Sequence, residues 1–61
     1  MRLHQIFVHK TRRTKNEVLH FSDYNKIVMI LDKSEANAIP TMLSLESFYE
    51  NYEPIVEKRG V

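Results

Sequence analysis

The longest run of consecutive apolar residues covers positions 27–31, between Lys26 and Asp32. Five residues are too few for a helix of ordinary length, and three of the five are β-branched, which favours a strand. A strand that is apolar on both faces is typical of the interior of a sheet. The run therefore predicts a central strand that is covered on both faces.

The residues before this run predict a first strand and a loop. Residues 2–10 place His4, Ile6 and Val8 on one face and further apolar residues on the other. Apolar residues on both faces indicate a curved strand that helps to close a small barrel. Residues 11–15 are polar and basic, which predicts an exposed loop.

A second strand is predicted over residues 16–21, with Leu19 and Phe21 on the face opposite to Val18. The polar residues 22–25 that follow favour a turn, because Asp and Asn side chains cap turns and Asn tolerates positive φ. The central strand comes directly afterwards. We therefore expect the second and third strands to form an antiparallel hairpin.

The last part of the chain predicts a fourth strand and a helix. Residues 38–43 are the strand, and Pro40 must lie at a sheet edge or at the strand's beginning because it has no N–H. Ser44 is a candidate N-cap, Glu46 lies in the first helical turn, and Pro54 is expected to end the helix. Four apolar or aromatic residues have the spacing of one helical face: Leu45, Phe48, Tyr49 and Tyr52.

These elements predict a mainly β fold in the order β-β-β-β-α. The connections are short, so we expect a small bent antiparallel sheet or an SH3-like partial barrel, with the short C-terminal helix across one end. A single domain is predicted over residues 1–56, and the charged residues 57–61 are expected to fray.

The order of strands and several short motifs resemble a family of very small bacterial and phage domains with an SH3-like barrel. The corresponding positions are His9-Lys10, residues 16–19, residues 27–29 and residues 45–50, and in outline the resemblance covers residues 6–55. The family's glycine after the lysine, its tryptophan and its Arg-Pro pair are absent here. The family has no established activity, so the resemblance implies the fold and an origin as a phage or mobile-element accessory protein.

Size and composition narrow the ways in which the fold can be stabilised. Ordering costs about 1.5 kcal/mol per residue, and a chain of 61 residues has little core to offset that cost. The absence of cysteine excludes disulfides and thiolate metal sites, so we expect a partner subunit, such as a homodimer. No apolar run approaches the length of a membrane span and no signal peptide is visible, which predicts a soluble cytoplasmic protein.

The clearest local charge feature is a basic loop with no acid in it. Its cations would contact phosphates if the protein bound nucleic acid: Lys10, Arg12, Arg13 and Lys15. The other interpretation is a solvated loop that keeps the protein soluble and protects a sheet edge. A net charge of +1 and the lack of an aromatic residue for base stacking favour this second interpretation.

Metal binding and catalysis are not predicted. His4 and His9 have opposite parity along the first strand, so a site that also includes His20 would require a bend, and we interpret all three as surface or half-buried residues. The only glycine is Gly60, which excludes Gly-rich nucleophile and phosphate loops in the rest of the chain. We therefore expect no enzymatic activity and no cofactor.

The aromatic residues near the C-terminus are candidates for both core and interface. We expect Phe48 to be buried and Tyr49 or Tyr52 to lie at the rim of a protein interface. The sequence thus predicts a non-enzymatic protein-interaction module that self-associates. The alternative is a nucleic-acid-binding domain that uses the basic loop.

Overall fold

The computed structural model describes residues 1–55, which form five strands and one helix. The elements are β1 (Ile6–His9), β2 (Lys15–Ser22), β3 (Ile27–Asp32), β4 (Thr41–Ser44), α1 (Leu45–Asn51) and β5 (Tyr52–Pro54). All pairings are antiparallel, and the strands form one open sheet in the order β4-β3-β2-β1-β5. The expected fraying of residues 57–61, and the last residue of the predicted domain, lie outside the described residues.

The predicted fold class is confirmed: the protein is mainly β, with strands preceding one short helix. The predicted β2–β3 hairpin is also confirmed. β3 lies inside the sheet between β2 and β4, but its coverage is one-sided. Val28 and Ile30 are buried, whereas Ile27, Met29 and Leu31 on the other face are only partly covered. The expectation that both faces are covered is therefore wrong, because the helix packs on one face of the sheet.

The core lies between the sheet and the helix. Its buried residues come from the first three strands and the helix: Phe7, Val18, Val28, Ile30 and Phe48. Burying a side chain of this size stabilises the fold by about 1.5–3 kcal/mol relative to leaving it exposed. A few such residues from distant parts of the chain therefore carry much of the folding energy of so small a domain.

A β-bulge in β2 changes which residues face the core. Val18 is opposite Ile30 and His20 is opposite Met29, so Leu19 is the extra residue. The bulge reverses the alternation beyond it, and Phe21 therefore packs against the same core as Val18. The prediction that these two residues lie on opposite faces is wrong for this reason.

The helix begins as predicted and ends earlier. Ser44 is the N-cap, and its side chain accepts a hydrogen bond from the Ser47 N–H at 3.2 Å. The helix ends at Asn51, and the next three residues form β5, which pairs with β1. The prediction that Pro54 ends the helix, with Tyr52 on the helical apolar face, is wrong, because Tyr52 already belongs to β5, where it pairs with His9 of β1.

The first and fourth strands are shorter than predicted. β1 begins at Ile6 because His4 has φ 68°, in the left-handed region, and the backbone turns there. β4 begins at Thr41, directly after Pro40, and it is an edge strand. The proline therefore lies at the start of an edge strand, as predicted.

Candidate interaction surfaces

Lys10 of the basic loop forms two hydrogen bonds with the helix. Its backbone N–H donates to the Asn51 carbonyl at 2.8 Å, and its Nζ donates to the Tyr49 carbonyl at 3.2 Å. Both acceptors belong to the last turn of α1, whose carbonyls lack partners within the helix. The negative end of the helix dipole also favours a cation at this position. Lys10 thus has a structural role.

Arg13 is also engaged within the molecule. Its Nη1 lies 3.3 Å from Oε1 of Glu53 in β5, and its N–H donates to the His9 carbonyl at 2.9 Å. Both members of the ion pair are well exposed, so the pair contributes little to stability. The pair links the loop between β1 and β2 to the edge strand β5.

Two exposed cations form no ion pair among residues 1–55: Arg12 in the loop and Lys15 at the first position of β2. Arg12 lies close enough to Asp32 to contribute to the lowered pKa of that carboxyl. The main causes of the lowering are hydrogen bonds from the side chain and backbone of Ser34. Of the four predicted phosphate-contacting residues, Lys10 and Arg13 therefore have side-chain partners within the described part of the molecule, whereas Arg12 and Lys15 form no ion pair there.

His9 organises the backbone of the same loop. Its Nδ1 accepts hydrogen bonds from the N–H groups of Thr11 and Arg12, each at 3.2 Å. The ring also packs edge-on against Tyr52, with centroids 4.9 Å apart. Nδ1 of His9 therefore caps the backbone of the loop at Thr11 and Arg12.

His4 and Lys33 both lie within hydrogen-bonding distance of the Glu17 carboxylate. The His4 Nδ1 lies 2.6 Å from one carboxylate oxygen of Glu17, and the Lys33 Nζ lies 3.1 Å from the other. The hydrogen bond from His4, followed by that from Lys33, lowers the pKa of Glu17. Residues 1–55 contain no group of three or more His, Asp or Glu side chains arranged to hold a metal ion. His4, His9 and His20 are not brought together.

The two tyrosines of the predicted interface have different environments. Tyr52 is half-buried and stacks on Phe48 with centroids 5.0 Å apart, so it belongs to the edge of the core. Tyr49 is 51% exposed and touches Phe48 only through the ring edge. Phe48 is fully buried, as predicted. Of the two candidates, Tyr49 is therefore the one whose ring is accessible to a partner.

One side of β4 pairs with no strand among residues 1–55, and sequence reasoning did not single out this surface. The strand reads Thr-Met-Leu-Ser, without a charge, and Met42 is 56% exposed. Ile39, just before the strand, is 81% exposed. The signal was available in the sequence, because Pro40 predicts an edge strand and the next four residues lack the charges that usually protect such an edge.

A shallow groove is present on the other side of the molecule. It has a volume of about 380 Å³ and is lined by Arg2, His4, Gln5, Ile6 and Ile55. The groove lies at the end of the described chain. Within residues 1–55, its lining combines the basic side chains of Arg2 and His4 with an amide and two aliphatic side chains.

Comparison of the chain with protein-family models gives no match, and comparisons with curated proteins and with solved structures give no significant match either. The resemblance to small SH3-like domains remains a prediction. Among residues 1–55, no helix has the length and apolar character needed to cross a membrane.

Proposed function

We propose that this protein is a small, non-enzymatic protein-interaction module that associates with itself. The observation that carries the proposal is the exposure of large apolar side chains beside an uncharged edge strand, namely Ile39 and Met42 beside β4. Unpaired strand edges and exposed apolar residues are features that proteins use for association. The small core of a 61-residue chain gives a further reason for a partner subunit.

Tyr49 is the second element of the proposed interface. Its ring is half exposed on a helix that follows β4 directly, between the exposed acids Glu46 and Glu50. Tyrosine provides both apolar area and a hydroxyl group, which suits the edge of a protein interface. Tyr52 has a smaller part in this proposal, because its ring is packed against Phe48.

Sedimentation equilibrium at micromolar and at millimolar concentration tests self-association. We expect the average mass to rise from that of a monomer towards that of a dimer as the concentration increases. A monomer over the whole concentration range would contradict self-association.

Nucleic-acid binding is the second candidate, and it rests on Arg12 and Lys15. If these two side chains contact phosphates, the logarithm of the affinity for duplex DNA should fall with the logarithm of salt with a slope of about −2. The double variant R12A/K15A should abolish this salt dependence. Binding that does not depend on salt, or that is unchanged in the variant, would eliminate this candidate. A cytoplasmic location is part of both proposals.

A further inference from the structure

The two edges of the sheet in the described part of the chain differ in how well they are protected. β5 contains Glu53, which pairs with Arg13, and Pro54, which has no N–H to offer a neighbouring strand. Charge and proline are the usual means of preventing edge-to-edge pairing. β4 has neither within Thr41–Ser44. Of the two sheet edges formed by residues 1–55, β4 is therefore the one that lacks these protections.

We propose that β4 pairs antiparallel with β4 of a second copy of this chain, so that Met42 lies opposite the partner's Met42. The proposal rests on the self-association proposed above and identifies the surface that mediates it. Antiparallel pairing about a two-fold axis brings the same residues together from both copies. An uncharged strand can pair with itself in this way without opposing like charges.

The register follows from the faces of the sheet. Directly opposed residues in antiparallel strands lie on the same face. Within one copy Met42 is opposite Met29, so pairing at Met42 extends one apolar row across both sheets. Thr41 then faces the partner's Leu43. The row lies on the sheet face away from the helix, where Met29 is only partly covered.

The same register limits the strength of the dimer. Pro40 would be the next residue in the ladder, and because it has no N–H, the paired segment ends at Thr41. So short a ladder with a few apolar side chains falls below the roughly 1,200 Å² that is typical of stable interfaces. We therefore expect a weak dimer with a dissociation constant in the micromolar to millimolar range, in rapid exchange with the monomer.

Disulfide trapping tests the register directly. The chain has no cysteine, so in M42C the only thiol is the engineered one. Opposed residues in antiparallel strands have Cα atoms about 4.5–5.5 Å apart, within the range that a disulfide spans. Under oxidised glutathione we expect M42C to form a covalent dimer at least about tenfold faster than E53C on the opposite edge. Equal rates would overturn the proposed edge.

Charge reversal tests the same contact without oxidation. In M42K or M42E, two like charges would oppose each other across the two-fold axis, so we expect the dissociation constant to rise at least about tenfold. An equimolar mixture of M42K and M42E should associate again as a heterodimer. Met42 is largely exposed, so both variants should keep the circular dichroism spectrum of the wild type.

The results separate this proposal from the one on which it rests. If the wild type dimerises and neither M42K nor M42E weakens the dimer, the β4 register is wrong while self-association stands. If the wild type stays monomeric at millimolar concentration, self-association and the β4 contact both fail. Loss of association in each single variant, with recovery in the mixture, supports both.

Discussion

The ring of Phe48 in the helix lies edge-on against the ring of Phe7 in β1, with centroids 4.7 Å apart. Both side chains are almost completely buried. The contact joins residues from opposite ends of the chain and holds the helix against the sheet. Lys10 in the basic loop donates a hydrogen bond from Nζ to the Tyr49 carbonyl of the same helix. The position of that loop therefore depends on how the helix packs against the core.

Replacing Phe48 with alanine should remove a third or more of the free energy of unfolding. Truncating a buried phenylalanine costs about 3–5 kcal/mol, and a domain of this size has a total stability of roughly 3–9 kcal/mol. Urea denaturation followed by circular dichroism measures the loss. Y49A is the matched control, because the neighbouring ring is half exposed, and it should change stability by about 0.5 kcal/mol or less. A stable F48A would show that the helix does not hold the core together.

Removing the helix cap should have a smaller effect. S44A removes the side-chain oxygen that accepts the Ser47 N–H, and we expect a loss of about 0.5–2 kcal/mol. In S47A the N–H of that residue remains, so the cap hydrogen bond is kept and stability should change by at most a few tenths of a kcal/mol. Urea titrations of both variants make the comparison. Equal losses in the two would contradict the assigned cap.

The elements that were correctly predicted from the sequence are those determined by local chemistry. The apolar run at 27–31 identifies an interior strand, Ser44 identifies the start of the helix, and the spacing of Phe48 identifies its buried face. Each depends on residues close together in the sequence. Periodicity and capping are sufficient for such features.

The errors arise where residues distant in the sequence decide the structure. The bulge at Leu19 depends on the register with β3, and the strand at Tyr52–Pro54 depends on the free side of β1. Neither is visible in a local pattern. The candidate site shows the same limit, because the engagement of Lys10 with the helix and of Arg13 with Glu53 depends on contacts across about forty positions.

Lowering the pH should destabilise the protein partly through Glu17. Hydrogen bonds from His4 and Lys33 lower its pKa in the folded state below the ordinary value of 4.5. A group with a lowered folded pKa contributes stability that is fully present above its unfolded pKa and is lost as the pH falls through the folded value. The wild type should therefore lose thermal stability as the pH falls below about 4.5.

The variant E17Q isolates this contribution. At neutral pH it should melt at a lower temperature than the wild type. The difference in melting temperature should become smaller as the pH is lowered. Asp32, whose pKa is also lowered, should account for part of the remaining acid sensitivity, which D32N would remove. Melting curves of the three proteins from neutral to acid pH measure both effects. Parallel pH profiles for E17Q and the wild type would contradict the role assigned to Glu17.

Protection of the loop backbone should depend on His9. The variant H9F keeps an aromatic ring against Tyr52 but removes the Nδ1 that accepts the N–H groups of Thr11 and Arg12. Each hydrogen bond contributes about 0.5–1.5 kcal/mol, so the two amides should exchange with solvent roughly two- to tenfold faster. Amide exchange followed by NMR measures this, with the β3 amides as the internal reference. Unchanged rates at both positions would show that the ring does not cap the loop.

Glycine at position 26 should stabilise the β2–β3 turn. Lys26 has φ 56°, in the left-handed region, where a side chain costs about 1–2 kcal/mol and glycine is not penalised. The sequence favoured Asn25 for such a conformation, but Asn25 is not among the positive-φ residues of the structure. K26G should therefore gain about 0.5–1 kcal/mol after the entropy cost of glycine, whereas N25G should lose stability. Urea denaturation of both variants makes the comparison. If K26G lost stability and N25G gained it, the positive-φ residue of the turn would have to be Asn25, and the assigned geometry of the hairpin would be wrong.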